Sequence, residues 1–166
     1  MKKVYFLFSV LVLLAASCKK KEQPCELTVS KTTAPANEEQ MVTDYLAANN
    51  ITGAVELENS GMYYRISNAG SSKRADLCSF ISITYIGKFT NGVPFDQGTR
   101  TFPLNDLIEA WKRGIPLVGE GGKLQLFVPP SLAYGNRDIT DPRTGAVFIP
   151  KNSMLIFDID VLTINN

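Results

Sequence analysis

The sequence has 166 residues, of which 45% are hydrophobic and 20% charged, and its formal net charge at neutral pH is +1. This length and apolar content fit one domain with a substantial core plus a short additional segment. A charge so close to zero provides no basic field, so no nucleic-acid partner is expected. Histidine is absent, which excludes histidine metal sites and Ser-His or Cys-His catalytic groups.

Residues 1–17 are predicted to be a signal peptide. Two lysines follow the initial methionine, and the apolar run of 13 residues over 4–16 is too short to span a bilayer but suits a signal sequence. Cys18 follows directly, in a pattern that resembles the lipidation signal of bacterial lipoproteins, except that Ala15 stands where Leu is usual. We therefore expect a lipid on Cys18 and a cell-envelope protein anchored to a bacterial membrane, facing the periplasm or the cell surface. Plain secretion is the alternative.

Residues 18–36, which include the attachment site, are polar, contain proline and show no hydrophobic period, a composition typical of a flexible tether. This segment contains Cys25, and Cys78 lies in the domain that follows. Outside the cytoplasm these two residues are able to form a disulfide, and closing a loop of about fifty residues would stabilise the fold by roughly 4 kcal/mol in the chain-entropy model. Two separate thiols are an equal alternative. The spacing indicates no metal site.

A short N-terminal helix is predicted over residues 38–49, within a helical segment that spans 37–59. Asn37 and Gln40 have the spacing of a capping box, and apolar residues follow at helical intervals. We expect this helix to pack on the domain, because its apolar positions share one face. It is too small to form a large dimer arm, so a monomer is expected.

From residue 60 to residue 166 the pattern predicts one β-rich domain. Alternating polar and apolar residues indicate strands at 62–66, 80–86, 123–128 and 154–161. Asn91-Gly92 predicts a tight hairpin with two positive φ values. The predicted class is α+β, a largely antiparallel sheet with one short helix across its inner face.

That inner helix is predicted over residues 105–114. Asn105 is expected to cap its N-terminus, and Gly114 is expected to follow its last turn. In the last predicted strand, Asp158 and Asp160 alternate with apolar residues, so we expect them on the solvent face and not in a catalytic pair.

Aromatic residues with few titratable neighbours form the remaining candidate cluster. The residues expected to project inward are Tyr85, Phe95, Ile108, Trp111, Tyr134 and Phe157. A plain core explains most of them, but two buried tyrosine hydroxyls need partners, and Asp96 would suit one. Tyr134 also follows a proline-stiffened loop, PPSLAYG. On the residues alone, this cluster is compatible both with a plain hydrophobic core and with a pocket.

An ordered series of short motifs resembles the FKBP-type peptidyl-prolyl cis-trans isomerases. In chain order the motifs are Tyr85-Ile86-Gly87, Asn91-Gly92, Phe95-Asp96, Phe102-Pro103-Leu104, Ile108 with Trp111, Gly122-Lys123, Pro129 with Ser131-Leu132-Ala133-Tyr134-Gly135, Ile149-Pro150 and Leu155-Ile156-Phe157-Asp158. Each motif is weak alone, but together they cover nearly all of the predicted domain.

The resemblance implies a twisted antiparallel sheet wrapped around one short α-helix, and a substrate pocket in which no metal or cofactor takes part. Its catalytic residues would be Tyr85, Phe95, Asp96 and Tyr134, and its substrate-binding residues Leu107, Ile108, Trp111, Ile149 and Phe157. Trp111 would lie under the proline ring of the substrate. The Ile108 N–H and the Tyr134 hydroxyl would bind substrate carbonyls.

The implied function is isomerisation of X-Pro bonds in proline-containing polypeptides, assisting the folding of exported proteins. The alternative is an FKBP-fold binding module or chaperone lipoprotein with little or no isomerase activity. A surface lipoprotein that binds glycans or partner proteins is a third class.

One geometric requirement and two departures from the family pattern bear on the site. Phe95 and Asp96 both face the pocket only if the strand bends, which Gln97-Gly98 would permit. Arg100 stands where a further aromatic is usual, and either pairs with Asp96 or is solvated. The loop over 136–147 is longer and more polar than usual.

Overall fold

The computed structural model of the protein describes residues 24–166. The predicted signal peptide, residues 1–17, and the predicted lipidation site, Cys18, lie outside the described residues. Within the described range no helix has the length and apolar character needed to cross a membrane.

The regular elements of residues 24–166 are two α-helices and eight β-strands, with short 3-10 turns between them. In chain order they are α1 (Ala36–Ala48), β1 (Val55–Glu56), β2 (Tyr63–Asn68), β3 (Phe80–Phe89), β4 (Pro94–Pro103), α2 (Glu109–Gly114), β5 (Lys123–Val128), β6 (Ile139–Thr140), β7 (Val147–Ile149) and β8 (Leu155–Asn165).

Six of the strands form one antiparallel sheet in the order β1-β2-β5-β8-β3-β4, and β6 and β7 form a separate hairpin. The long central strands β3 and β8 alternate between buried apolar and more exposed polar residues over most of their length, which covers one face with core side chains. Asp158 and Asp160 lie opposite the buried face of β8, as predicted. The predicted α+β class is confirmed.

The inner face of the sheet is crossed by α2, which is shorter than predicted. A 3-10 turn at Leu104–Asp106 comes first, and the α-helix begins only at Glu109. Asn105 therefore lies inside the 3-10 turn and does not cap α2. Gly114 lies inside a helical turn with φ −80°; a Cβ there would lie 2.8 Å from both Leu126 methyls, so close packing is the reason for this glycine.

The outer face is covered by α1, which begins at Ala36, two residues before its predicted start. Pro35 precedes the helix and its carbonyl accepts the N–H groups of Glu38 and Glu39. No side chain caps this end, so the capping box predicted at Asn37 is wrong. The reason is that a proline just before the helix already fixes the backbone at its start.

The chain before α1 has no regular structure but is attached to the domain at three points. Cys25 and Cys78 form a disulfide with their Cα atoms 5.7 Å apart. The Thr32 carbonyl accepts a hydrogen bond from Arg113 at 2.9 Å, and the Ala34 N–H donates to the Ser60 carbonyl. The described part of the predicted tether is thus fastened to the domain from Cys25 onward.

Candidate active site

A β-bulge allows two consecutive residues of β4 to face the same side. Asp96 pairs with Gly87, but Lys88 pairs with Pro94, so Phe95 is an extra residue in the ladder. Because successive residues of a regular strand face opposite sides, this insertion is what brings both Phe95 and Asp96 to the inner face. The bend therefore lies at Phe95, and not at Gln97-Gly98, which continues the regular pairing.

The turn that joins β3 to β4 contains one positive φ value and not the two predicted. The Phe89 carbonyl accepts the Gly92 N–H, and Gly92 has φ +81°. Asn91 is not among the residues of positive φ. This is a three-residue hairpin loop that ends in a left-handed glycine.

A cavity of about 150 Å³ opens on the inner face between the bulge, α2 and the loop after β5. Its lining residues are Tyr85, Phe95, Asp96, Arg100, Phe102, Leu107, Ile108, Trp111, Tyr134 and Phe157. All the predicted catalytic residues and all but one of the predicted substrate-binding residues are in this set.

The indole of Trp111 forms the base of the cavity and is only 5% exposed. Three rings meet it edge to face: Tyr85 with a centroid distance of 5.1 Å, Phe157 at 5.3 Å and Phe102 at 6.2 Å. Its Nε1–H has no hydrogen-bond partner within the described part of the chain. Rigid rings therefore hold the indole in one orientation and leave room above it.

The polar wall of the cavity is a hydrogen bond between Tyr85 and Asp96. The Tyr85 hydroxyl donates to Asp96 Oδ2 at 2.7 Å. Burial, together with this hydrogen bond, raises the pKa of Tyr85 to about 12, so the hydroxyl stays protonated at neutral pH. Arg100 lies 3.9 Å from the other carboxylate oxygen and its side chain is 58% exposed, which makes this ion pair weak.

The sequence profile of the family described as FKBP-type peptidyl-prolyl cis-trans isomerase matches residues 71–162, more than half of the chain. The chain belongs to this FKBP family. The matched range begins after α1 and β2 and includes every residue that lines the cavity.

Named relatives and solved structures agree with this assignment. The FKBP-type isomerase FkpA of Aeromonas hydrophila is 34% identical over 145 residues, 84% of this chain and 52% of the relative. FkpA of Escherichia coli is 31% identical over 66% of this chain and 40% of its own length. The chain thus spans about half the length of the curated relatives it matches.

Two crystal structures of family members resemble the fold. The Escherichia coli FkpA structure has a TM-score of 0.65 and 27% identity, over 78% of this chain and 60% of that one. AtFKBP13 has a TM-score of 0.55 and 33% identity, over 62% of this chain and 92% of that one.

Besides the Trp111 Nε1–H, two residues of the FKBP cavity act as unpaired donors. Ile108 has an extended backbone, with φ −62° and ψ 155°, directly before α2, and its N–H donates to no acceptor among residues 24–166. Such N–H groups at the start of a helix lack an intrahelical acceptor. The Tyr134 hydroxyl is likewise free of protein partners in the described chain, and burial, followed by the nearby Asp96 charge, raises its pKa. Both groups are available to a carbonyl in the cavity.

Ile149 is the one predicted substrate-binding residue that does not line the cavity. It pairs with Ile139 in the β6–β7 hairpin and is only 2% exposed, so it contributes to the core behind the wall. Its neighbour Phe148 is 49% exposed and meets the Phe95 ring at a centroid distance of 6.3 Å. The long polar loop predicted over 136–147 contains β6 and the turn of this hairpin.

Phe102 and Arg100 are not among the predicted site residues, although Phe102 lies in a quoted motif and pairing of Arg100 with Asp96 is one of its two predicted alternatives. Both lie on the same side of β4 as Asp96, four and six residues after it. Counting alternate positions from Asp96 would have found them, because a regular strand repeats every two residues. The bulge lies before Asp96, so it does not disturb this count.

Proposed function

We propose that this chain catalyses cis-trans isomerisation of X-Pro bonds in polypeptides. The observation that carries the proposal is the cavity over the Trp111 indole, which is walled by aromatic rings and by the Tyr85–Asp96 hydrogen bond. Membership of the FKBP family and the two free donors support it further.

The reaction requires no bond to be made or broken. Resonance gives the X-Pro amide a rotational barrier of about 18–20 kcal/mol. The planar amide is more dipolar than the twisted transition state, so a water-poor aromatic cavity stabilises the twisted form relative to the planar one. Each 1.4 kcal/mol or so of such preference increases the rate about tenfold.

The cavity residues have separate parts in this mechanism. The proline ring lies on Trp111, while the Ile108 N–H and the Tyr134 hydroxyl donate to carbonyls on either side of the ring. These donors fix the substrate backbone so that only the X-Pro bond rotates. The Tyr85–Asp96 pair keeps the polar wall satisfied without water.

A protease-free isomerisation assay on X-Pro tetrapeptides tests the proposal. The purified protein is expected to accelerate isomerisation, and a Tyr134→Phe variant with the same fold is expected to be several-fold slower. Trp111 is the only tryptophan, so its fluorescence reports peptide binding separately. Binding without acceleration would overturn the isomerase proposal in favour of a binding module.

The proposed location is the cell envelope. In this proposal residues 1–17 are removed, Cys18 carries a lipid, 18–36 links it to the domain, and the chain acts as a monomer on exported polypeptides. The N-terminal sequence pattern supports this, and so does a disulfide, because such bonds persist in oxidising compartments.

Labelling cells with a lipid analogue tests the anchor. The label is expected on the wild-type protein in the membrane fraction and is expected to be lost in Cys18→Ser. Label on Cys18→Ser, or wild-type protein that is unlabelled and soluble, would contradict the anchor. Sedimentation of the purified protein tests the monomer.

A further inference from the structure

A hydrogen bond connects α1 to the loop that carries Tyr134. Glu38 lies in the first turn of α1, and its Oε2 accepts the Ser131 N–H at 2.8 Å. The two residues are 93 positions apart in the chain, and the contact is partly buried. Glu38 lies outside the range 71–162 that matches the FKBP family.

The Ser131 N–H is the first donor of this loop. It lies in the 3-10 turn Pro130–Leu132, which follows Pro129, and neither proline has an N–H. The next donors have partners inside the turn: the Leu132 N–H bonds to the Pro129 carbonyl at 3.1 Å, and the Ala133 N–H to the Pro130 carbonyl at 3.0 Å. Ser131 therefore depends on a partner outside the turn, and Glu38 is that partner.

The carboxylate is held in place because α1 is packed firmly on the outer face of the sheet. Val42 and Leu46 of α1 are buried against Phe127 of β5 and against Ile156 of β8. Phe127 is fully buried and is only two residues before Pro129. The helix thus covers the point where β5 ends and the loop begins.

Tyr134 follows Ser131 by three residues and lies on the cavity wall. The chain is held again directly after Tyr134, at Gly135, whose N–H donates to the Pro130 carbonyl at 2.8 Å and whose carbonyl accepts the Asn152 N–H at 2.8 Å. A loop fixed at both ends keeps the tyrosine hydroxyl in one place. Glu38 fixes the first end.

We propose that Glu38 is a positioning residue that acts through the Pro129–Gly135 loop on Tyr134. The inference rests on the proposed isomerase function, since it concerns the donor that binds the substrate carbonyl. Glu38 does not line the cavity and is not expected to touch substrate. The N-terminal helix would then take part in catalysis through one carboxylate.

Three single variants test the proposal. Glu38→Ala removes the acceptor, Glu38→Gln keeps an acceptor oxygen without the charge, and Glu39→Ala removes the other acidic residue of the same first turn. Glu39 serves as the matched control, because its loss changes the charge of the helix end equally. All are compared at temperatures where unfolding curves show them fully folded.

Amide hydrogen exchange provides a readout that does not depend on activity. Glu38→Ala is expected to exchange the Ser131 amide at least about tenfold faster, while Glu39→Ala leaves it unchanged. In the same proteins kcat/KM on an X-Pro peptide is expected to fall about three- to tenfold for Glu38→Ala and to stay within about twofold for Glu38→Gln and Glu39→Ala. Unchanged Ser131 exchange, or an equal loss of kcat/KM in Glu39→Ala, would overturn the proposal.

A double-mutant comparison shows whether the effect passes through Tyr134. In a Tyr134→Phe background, Glu38→Ala is expected to cause no further loss of kcat/KM. A full additional loss would overturn the positioning role. If the wild-type protein shows no turnover, the proposed function fails separately. The same variants are then compared by their affinity for the peptide, measured through Trp111 fluorescence. Weaker binding in Glu38→Ala alone supports the positioning role, and equal binding in all variants overturns it.

Discussion

The inner face of the six-stranded sheet and the part of its outer face under α1 are both apolar, yet the aromatic cavity opens on the inner face. On the outer face, the 13-residue helix α1 places Val42 and Leu46 directly on Phe127, Met154 and Ile156. On the inner face, the helix has six residues and brings mainly Trp111, and its neighbours are other aromatic rings.

The difference shows how a cavity is kept open in a close-packed protein. Under the long helix α1, aliphatic side chains and the Phe127 ring together fill the available space. Flat rings that meet edge to face, at centroid distances of 5.1 to 6.3 Å, cannot interdigitate in the same way. A short helix also leaves part of the sheet uncovered. Ring shape and helix length together account for the hollow over the indole.

The largest expected effect is on the outer face. Phe127→Ala removes a fully buried ring under α1 and is expected to lower the free energy of unfolding by about 3–5 kcal/mol, measured by urea denaturation. The kcat/KM per folded molecule should change far less. A stability loss below about 1 kcal/mol would show that the outer face is not closely packed.

The next effect is on the inner face, where turnover is expected to change more than stability. Asp96→Leu is expected to reduce X-Pro turnover at least several-fold, because the Tyr85 hydroxyl loses its acceptor. Phe95→Ala, at the neighbouring residue of the bulge, is expected to reduce turnover similarly. Asp160→Leu is a matched control, since the Asp160 and Asp96 side chains are 42% and 38% exposed. Full turnover in well-folded Asp96→Leu would remove this carboxylate from the site.

Gly87 tests how tightly the rings define the cavity. A Cβ at this position would lie 2.6 Å from Phe95 Cζ and 3.0 Å from Phe157 Cε1, so Gly87→Ala must displace an aromatic wall. We expect turnover to fall by about threefold and stability by roughly 1 kcal/mol. Gly98→Ala on the same hairpin meets only Arg100 Nε, at 3.6 Å, and should preserve turnover; equal losses in both variants would contradict the steric explanation.

The smallest effect concerns pH. The pKa of Tyr85 is raised from an ordinary value of 10.0 to about 12, first by burial and then by Asp96. The unfolded chain therefore loses this proton at lower pH than the folded protein, so the stabilisation is complete below pH 10 and is lost as the pH rises towards 12. The difference in unfolding free energy between wild type and Tyr85→Phe should be constant below pH 10. Above pH 10 the wild type should lose stability relative to Tyr85→Phe. A constant difference throughout would contradict the raised pKa.

The regular parts of the fold were predictable because their patterns are local. β5 has its predicted bounds, and the alternation of Ile81, Ile83 and Tyr85 placed these residues on the buried face as expected. The family resemblance then brought distant residues such as Tyr85 and Tyr134 to one site, which no local pattern does.

What the sequence did not predict depends on tertiary contacts. The bulge at Phe95 follows from pairing between β3 and β4, and the extended Ile108 follows from how α2 meets the sheet. The family motif predicts Ile149 in the cavity wall, but its pairing with Ile139 places it behind that wall. The Glu38–Ser131 contact joins residues 93 positions apart, and no sequence pattern relates the two.

If Cys18 carries a lipid, as proposed, the disulfide between Cys25 and Cys78 sets a limit on the distance between the domain and the membrane. Cys25 is only seven positions after Cys18, so a lipid on Cys18 would keep the domain within about 25 Å of the bilayer surface. Without the bond, the first attachment would move to Thr32, whose carbonyl accepts a hydrogen bond from Arg113, and the reach would extend to about 50 Å. Oxidation of this one pair would therefore determine whether the domain meets polypeptides emerging at the membrane or polypeptides already well clear of it.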